Sequence, residues 1–156
     1  MALYAQDERG LIPLAEIFGR REAGTLVYCC GPEPLLKAVE TAATGWPDGD
    51  SLHLERFSPK APEPDQVDTA FEVHCARSGV TVRVPADRSI LEALEAEGVE
   101  APASCFEGTC GTCETRGIEG VPDHRDSVLT QAEQARGDTI LICVSRARSA
   151  RLVLDL

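Results

Sequence analysis

Four cysteines in the second half of the chain are spaced so that they could hold a metal core. Cys105, Cys110 and Cys113 lie within nine residues, and Cys143 follows after a further 29. Three thiols this close in sequence can reach one small core from a single loop, whereas the fourth has to be supplied by the fold. A C-x4-C-x2-C run with one distant cysteine is typical of [2Fe–2S] sites, so the spacing predicts one-electron transfer.

The loop that joins the first three cysteines is rich in glycine and hydroxyl side chains. Gly108 and Gly111 allow the backbone to turn inward, because no Cβ obstructs it. Backbone N–H groups can then donate to cluster sulfurs, and Ser104, Thr109 and Thr112 can add hydroxyl donors. These residue types favour a negatively charged cluster at a corner of the domain.

Other uses of the four thiols stay open on the sequence alone. Structural zinc normally uses two separated C-x2-C pairs, and only Cys110 and Cys113 form one here. The same pair could be a redox dithiol, although Cys105 and Cys143 would then have no role. Disulfides and buried structural cysteines are further alternatives. The main alternative to electron transfer is therefore a zinc-stabilised structural or regulatory domain without redox activity.

The composition limits which classes of binding partner and which cellular compartment we expect. The chain has 156 residues and a formal net charge of −11, and most of the acidity lies after residue 60. Nucleic-acid binding needs Lys and Arg against phosphates, so this charge argues against it. No apolar run has the length of a membrane span, and the first residues show no secretory signal. Seven cysteines without an export signal indicate a reducing compartment, so we expect a cytoplasmic protein.

Apolar periodicity in the second half predicts a small mixed sheet wrapped on one helix. Two alternating runs around a glycine-containing turn indicate a β-hairpin, and an amphipathic stretch ending at Gly98 indicates a helix. Thr130 and Glu133 stand at the positions of a capping box, so a second, short helix should begin there. The predicted elements are strands 71–75 and 80–84, helix 90–98, strand 113–118, helix 130–136, strand 139–144, which carries Cys143, and an edge strand 151–156. The fold class that they predict is α+β.

The first half predicts one strand–helix–strand unit of an α/β domain. Residues 25–30 form a short apolar run, a Gly-Pro turn follows, and Leu35, Leu36 and Val39 then share one helix face. Residues 51–57 alternate as a second strand. One such unit is too small for a complete nucleotide-binding domain, which needs several.

A segment rich in proline and charge separates the two halves. Residues 58–69 contain three prolines and few apolar side chains, which is typical of a semi-stiff, solvated linker. The predicted domains are therefore residues 1–57 and 70–156, with the linker 58–69 between them.

The second half resembles a known family. The cluster loop 105–115, the segment 120–129 and the ending 143–147 are similar to the ferredoxin domain that closes reductases of the phthalate dioxygenase reductase and vanillate demethylase reductase type. The resemblance implies a β-grasp plant-type ferredoxin fold and a [2Fe–2S] cluster whose metal ligands are the four cysteines. It also implies a reduced flavin as electron donor, and a terminal oxygenase or a cytochrome P450 haem as acceptor.

The first half resembles the end of the NAD(P)H domain in the same reductases. Cys30, Gly31 and Pro32 open a turn similar to the family's C-G-P-x-P turn, and the resemblance places that turn beside the nicotinamide. Phe57 resembles the aromatic residue near the flavin in the segment that closes the domain. The resemblance thus implies that these four residues are a cofactor-binding remnant, and it supplies no catalytic residue.

The rest of that reductase has no counterpart in the 156 residues. A flavin-binding barrel and the phosphate-binding part of the nucleotide domain precede this point in the family, so FMN and NAD(P)H would belong to a full-length parent. The chain then resembles the tail of a longer reductase, or of a self-sufficient cytochrome P450 with such a reductase fused behind it. We expect that the chain alone does not oxidise NAD(P)H and acts as the electron-transfer domain of an NAD(P)H-dependent oxidoreductase.

Overall fold

Residues 4–20, 22, 24–44, 51–59 and 67–156 are described by the computed structural model. The chain divides into two compact units, Met1–Glu55 and Arg56–Leu156. Residues 60–66 of the predicted linker lie outside the described residues, so the linker and the domain boundaries drawn around it stay predictions.

The first unit contains the strand–helix–strand arrangement that the apolar pattern predicts. Its elements are helices α1 (Gln6–Arg9), α2 (Leu14–Phe18) and α3 (Glu33–Ala42), and strands β1 (Val27–Cys30) and β2 (Leu52–Glu55). The two strands pair in parallel, with Val27 opposite Leu52, because α3 returns the chain to the same end of the sheet. Leu36 and Val39 are buried on one face of α3, as expected for a helix that covers such a sheet.

The second unit is a five-stranded mixed sheet with a helix packed against it. Its elements are β3 (Phe71–Cys75), β4 (Thr81–Val84), α4 (Ile90–Ala96), β5 (Glu114–Glu119), β6 (Pro122–Asp123), α5 (Gln131–Arg136), β7 (Thr139–Leu141), β8 (Arg146–Ala147) and β9 (Arg151–Leu154). The strand order is β4-β3-β9-β5-β7, and β6 pairs with β8 apart from it. Strands β3 and β9 run parallel, whereas the other neighbours run antiparallel. This is a β-grasp arrangement, and the predicted α+β class is confirmed.

Local capping signals define both helices of the second unit. At α4 the hydroxyl of Ser89 accepts the N–H of Glu92 at 3.1 Å, while the carboxylate of Glu92 accepts the N–H of Ser89 at 2.8 Å. Thr130 and Glu133 form the same reciprocal pair at α5, so the predicted capping box is confirmed. Each box satisfies N–H groups that the first turn of a helix leaves free.

One hydrophobic core lies between the sheet and α4. Ile90, Leu91 and Leu94 of α4 are completely buried in it, and Cys113 and Cys143 belong to the same cluster of buried side chains. Two of the four cysteines therefore lie at the margin of the core. Within the described part of the chain, no helix combines the length and the apolar character needed to cross a bilayer.

Two strands differ from the prediction. The prediction that residues 151–156 form an edge strand is wrong, because β9 lies in the middle of the sheet between β3 and β5. Side-chain alternation shows that a strand has one buried face, but it carries no information on how many neighbours the strand has. Strand 139–144 is also shorter than expected: β7 ends at Leu141, so Cys143 lies in the turn that follows.

Candidate metal centre

The loop of the first three cysteines lies between α4 and β5 and places them at different depths. Cys110 is exposed, Cys105 is half-buried, and Cys113 is buried with 3% of its surface exposed. Cys143, from the turn after β7, is also buried. All seven cysteines of the chain carry free thiols. The quartet thus runs from the protein surface to the margin of the core, so a group bound there has one side near solvent.

Backbone contacts bring Cys143 to the end of the loop. The N–H of Ile142 donates to the carbonyl oxygen of Cys113 at 3.4 Å. Burial, followed by the neighbouring Cys113 sulfur, raises the pKa of the Cys143 thiol to about 12. A thiolate at this position therefore needs a cation beside it, and metal binding there should release a proton.

The surroundings of Cys105 lower the pKa of its thiol, whereas those of Cys143 raise it. The backbone N–H of Glu107, 3.4 Å from Cys105 Sγ, is the largest influence on the pKa of this thiol. The N–H and hydroxyl of Thr109 add to it, and together these donors lower the pKa of Cys105 to about 6. Donors directed at a sulfur favour the thiolate, which is the form that binds metal.

The four thiols influence one another. The Cys110 side chain helps to lower the pKa of Cys105, and the Cys113 and Cys105 sulfurs help to raise the pKa of Cys143. Four cysteines that lie close to one another supply the number of ligands that a [2Fe–2S] cluster needs. Among the residues that the structure describes, no group of three or more His, Cys, Asp or Glu side chains is arranged to hold a metal ion as it stands.

Gly108 forms the wall of the site beside Cys143. Its φ is +69°, and a Cβ added there would lie 2.6 Å from Val144 Cγ2 and 3.2 Å from Asp126 Cα. The Gly108 backbone N–H partly offsets the raised pKa of the Cys143 thiol. Any side chain at this position would push the loop away from Val144 and Asp126. The N–H donor on Cys105 in the same loop is consistent with a cluster that carries negative charge on its sulfurs.

Two residues around the site are not apparent from motifs. Asp126 is fully buried, and the only sequence signal for it is an Asp placed shortly before backbone groups that its side chain can bind. Phe106 is 57% exposed and has a φ of +59°. Positive φ is rare at a bulky residue, and nothing in the sequence indicates it.

The predicted cofactor-binding remnant lies on both sides of the unit boundary. Cys30 ends β1 and is exposed, Gly31 has a φ of +144°, and Pro32 is the N-cap residue of α3. A Cβ at Gly31 would lie 3.2 Å from Leu35 Cδ2, so local geometry alone accounts for the glycine. Phe57 follows β2 and is 70% exposed. A nicotinamide or flavin role for these residues stays a prediction.

The chain is similar in sequence and structure to several known proteins. Phenoxybenzoate dioxygenase subunit beta of Ectopseudomonas oleovorans is 47% identical, over 98% of this chain and 47% of its own length. An intact type IV self-sufficient cytochrome P450 monooxygenase has a TM-score of 0.80 and 45% identity, over 98% of this chain and 20% of its own. Phthalate dioxygenase reductase has a TM-score of 0.64 and 42% identity, over 94% of this chain and 44% of its own. The chain thus spans about half the length of the curated relatives it matches.

The fold and the four cysteines at the end of one loop define the second unit as a small electron-transfer domain of the iron–sulfur class. Residues 73–148 match the family described as the 2Fe-2S iron-sulfur cluster binding domain, and the chain belongs to this family. The resemblance to reductases of the phthalate dioxygenase type is confirmed. The cofactor of the domain is a [2Fe–2S] cluster, and its function is one-electron transfer.

Proposed function

We propose that this chain is the exit of an electron relay that takes single electrons from a reduced flavin and passes them to a terminal oxygenase or a P450 haem. The observation that carries the proposal is the burial of Cys113 and Cys143 together at the end of the cysteine loop. In the same loop the backbone N–H of Glu107 donates to Cys105 Sγ. When bound there, the cluster supplies one-electron chemistry. The similar proteins support the direction of transfer, since one is described as moving electrons from pyridine nucleotides to [2Fe–2S] and another is a P450 monooxygenase.

The protein around the thiols has two tasks in this relay. On the inner side, Cys113 and Cys143 belong to the hydrophobic core, so water is kept from that part of the site. On the outer side, Cys110 is exposed and Cys105 is half-buried. Electron transfer weakens steeply with distance, so the Cys105–Cys110 side is the proposed point of exit.

The acceptor is proposed to dock on the loop beside Cys105. Phe106 presents an exposed aromatic ring there, and Glu107 next to it is exposed as well. Four further exposed carboxylates lie on and after α4, at Glu92, Glu95, Glu97 and Glu100. An exposed apolar side chain on an acidic domain suits an acceptor whose surface is basic. Transfer to such a partner should slow as salt is added, because screening weakens the attraction between exposed charges.

The first unit is proposed to be the end of a pyridine-nucleotide domain whose remainder belongs to a longer parent. Its strand–helix–strand arrangement and the turn at Cys30, Gly31 and Pro32 support this, as does the match to phthalate dioxygenase reductase over 94% of the chain. In that parent, FMN and NAD(P)H supply the electrons, and Phe57 lies near the flavin. The 156 residues alone should therefore not oxidise NAD(P)H.

A reducing, cytoplasmic location is part of the proposal. Four of the seven cysteines are proposed cluster ligands and not disulfide partners, which is usual where glutathione and thioredoxin keep thiols reduced. A diagnostic measurement is the thiol count of protein taken directly from cells under acid quench. Disulfides among the quartet in that sample would contradict the assignment.

The cluster itself can be tested by its spectrum. Anaerobic reconstitution of the chain with iron and sulfide should give a brown protein that contains about two irons and bleaches with dithionite. Cys143→Ser should lose most of the iron, because it removes one ligand of the inner pair. Cys30→Ser is the matched control, since Cys30 is exposed and lies outside the quartet. A colourless protein with stoichiometric zinc would contradict the proposal in favour of the structural alternative.

The proposal that NAD(P)H oxidation belongs to a longer parent reductase can be tested separately. Purified, reconstituted chain mixed with NADH or NADPH should show no oxidation of the nucleotide. Addition of a flavoprotein reductase as donor should then reduce the cluster. Nucleotide oxidation by the chain without a flavoprotein would overturn the proposed role of the first unit and leave the cluster assignment intact.

A further inference from the structure

Asp126 is an ionisable side chain completely buried beside the cluster loop. Its Oδ2 accepts the N–H of Val128 at 3.1 Å and the N–H of Leu129 at 2.7 Å, which closes the segment into a tight turn. A buried carboxylate without such donors is costly, so these two bonds keep both the side chain and the turn in place. Leu129 is part of the hydrophobic core and anchors the far end of the turn.

The turn is bonded directly to the cluster loop. The N–H of Ser127 donates to the carbonyl oxygen of Gly108 at 2.9 Å. The N–H of Glu107, the residue before Gly108, donates to Cys105 Sγ at 3.4 Å. Asp126 also packs on Gly108, where an added Cβ would lie 3.2 Å from Asp126 Cα. A continuous path of contacts therefore runs from the Asp126 carboxylate through Gly108 to a cluster ligand.

His124 supports the other side of the same carboxylate. Its Nδ1 lies 3.8 Å from Asp126 Oδ1, and its side chain is 8% exposed. Among the described residues, both ring nitrogens of His124 and Asp126 Oδ1 have no hydrogen-bond partner. At 3.8 Å the contact is electrostatic rather than a formed hydrogen bond. Polar atoms left unpaired in a native interior call for an explanation, and these lie in the segment that bonds to the cluster loop at Gly108.

We propose that Asp126, supported by His124, is the positioning residue that fixes the ligand loop at Gly108 and thereby sets the reduction potential of the cluster. The N–H that it keeps in place is that of Glu107, which donates to Cys105 Sγ. N–H donors on the sulfurs stabilise the reduced, more negative cluster, so a looser Gly108 makes the potential more negative. This inference rests on the proposed electron-transfer function. Asp126 is neither a predicted cluster ligand nor part of the ligand loop.

The decisive comparison is between Asp126→Asn and Asp126→Ala, because both remove the same charge. The Asn side chain keeps an oxygen that can accept the N–H groups of Val128 and Leu129, whereas Ala keeps none. We expect Asp126→Ala to have a more negative reduction potential than Asp126→Asn, and to lose its cluster several-fold faster in the presence of a chelator. Equal potentials and equal cluster lifetimes in the two variants would overturn the proposal.

Asp138 offers a matched control pair in the same unit. Its side chain is 61% exposed and lies 3.8 Å from Arg136 Nε. Asp138→Asn and Asp138→Ala should have the same potential as each other, since no turn at the cluster depends on that carboxylate. A residue that only stabilised the fold would lower the melting temperature without moving the potential, so both quantities are measured on every variant.

A second pair of variants, at His124, tests the proposal if neither Asp126 variant binds a cluster. His124→Asn keeps a side-chain nitrogen near the position of Nδ1, whereas His124→Leu removes it. We expect a negative shift of the potential in His124→Leu and a value near wild type in His124→Asn. A wild-type potential in both would overturn the role of the pair. Absence of a cluster from the wild-type chain would instead contradict the proposed function itself, so the two failures are distinguishable.

Discussion

Ile142 donates its backbone N–H to the carbonyl oxygen of Cys113 at 3.4 Å and accepts the N–H of Leu91 at 3.1 Å. One residue thus joins the turn that carries Cys143 to the end of the cysteine loop and to the first turn of α4. Both bonds use backbone atoms, so they depend on the path of the chain rather than on a particular side chain. The fourth predicted ligand is therefore brought to the loop by the packing of the helix and the sheet.

Gly108→Ala should prevent stable cluster binding. The substitution combines the strain of a positive φ with a contact of 2.6 Å to Val144 Cγ2. Gly98→Ala is the matched control, because Gly98 has a φ of +75° and nothing within 4 Å of an added Cβ. Backbone strain alone should cost the control about 1 kcal/mol of unfolding free energy while its iron content stays unchanged. Equal iron content and cluster lifetime in both variants would show that the close approach of Gly108 is unimportant.

Arg146→Met should strongly destabilise the second unit. The guanidinium is buried and donates to three backbone carbonyl oxygens, those of Thr69, Pro85 and Arg88, and it lies over the ring of Phe71. Its removal leaves buried acceptors unsatisfied, so we expect a loss of about 2–4 kcal/mol in the free energy of unfolding measured in urea.

Arg148→Met serves as the comparison for that variant. The Arg148 side chain is 71% exposed, although its Nε lies 3.2 Å from Asp123 Oδ1. Ion pairs in contact with water contribute little, so the expected loss is about 1 kcal/mol or less. If the two substitutions cost the same, burial of Arg146 is not what makes it important.

The pair of Asp68 and Arg125 should make stability depend on pH in the acid range. The hydrogen bond from Arg125 holds the pKa of Asp68 below its ordinary value. A depressed folded pKa means that the stabilisation is fully present above the ordinary Asp pKa, about 4, and is lost as the pH falls through the folded pKa. The difference in unfolding free energy between wild type and Asp68→Asn should therefore be present near neutral pH and shrink below about pH 4.

The size of that effect should be small, because the Asp68 side chain is 33% exposed. Solvent screening limits such a pair to about 1 kcal/mol or less. Asp87→Asn is the control, since Asp87 is exposed. Urea titrations of the three proteins between neutral and acid pH measure the difference directly. A difference that grows towards acid pH would contradict the assigned direction of the shift.

Phe106 should matter for transfer to a partner rather than for the cluster. Its φ of +59° strains a non-glycine residue, so Phe106→Gly should raise the stability of the fold by about 1 kcal/mol. The same variant should slow reduction of cytochrome c, a basic haem protein, several-fold with no change in reduction potential. Ile118→Gly changes an equally exposed apolar residue, 54% accessible, on β5. If both variants slow the reaction equally, Phe106 has no special place in docking.

Features encoded by short stretches of sequence were predictable. The spacing of Cys105, Cys110 and Cys113 lies within one loop, and the capping box of Thr130 and Glu133 spans a single helical turn. Such features depend on bond geometry and on hydrogen bonds between near neighbours, which residue types reveal directly. The strand–helix–strand pattern of the first half belongs to the same class, because apolar periodicity records which face is buried.

The chain by itself therefore determined the cofactor and the α+β class and predicted the ligands, whereas the tertiary structure decided how the fourth predicted ligand is held. Strand β9 lies in the centre of the sheet because its parallel pairing with β3 joins residues almost 80 positions apart, as in Glu72 with Arg151. Cys143 lies in a turn, and Asp126 becomes buried under Gly108, only once these distant strands have assembled. Contacts between remote segments form by the packing of the whole domain, and no local pattern encodes them.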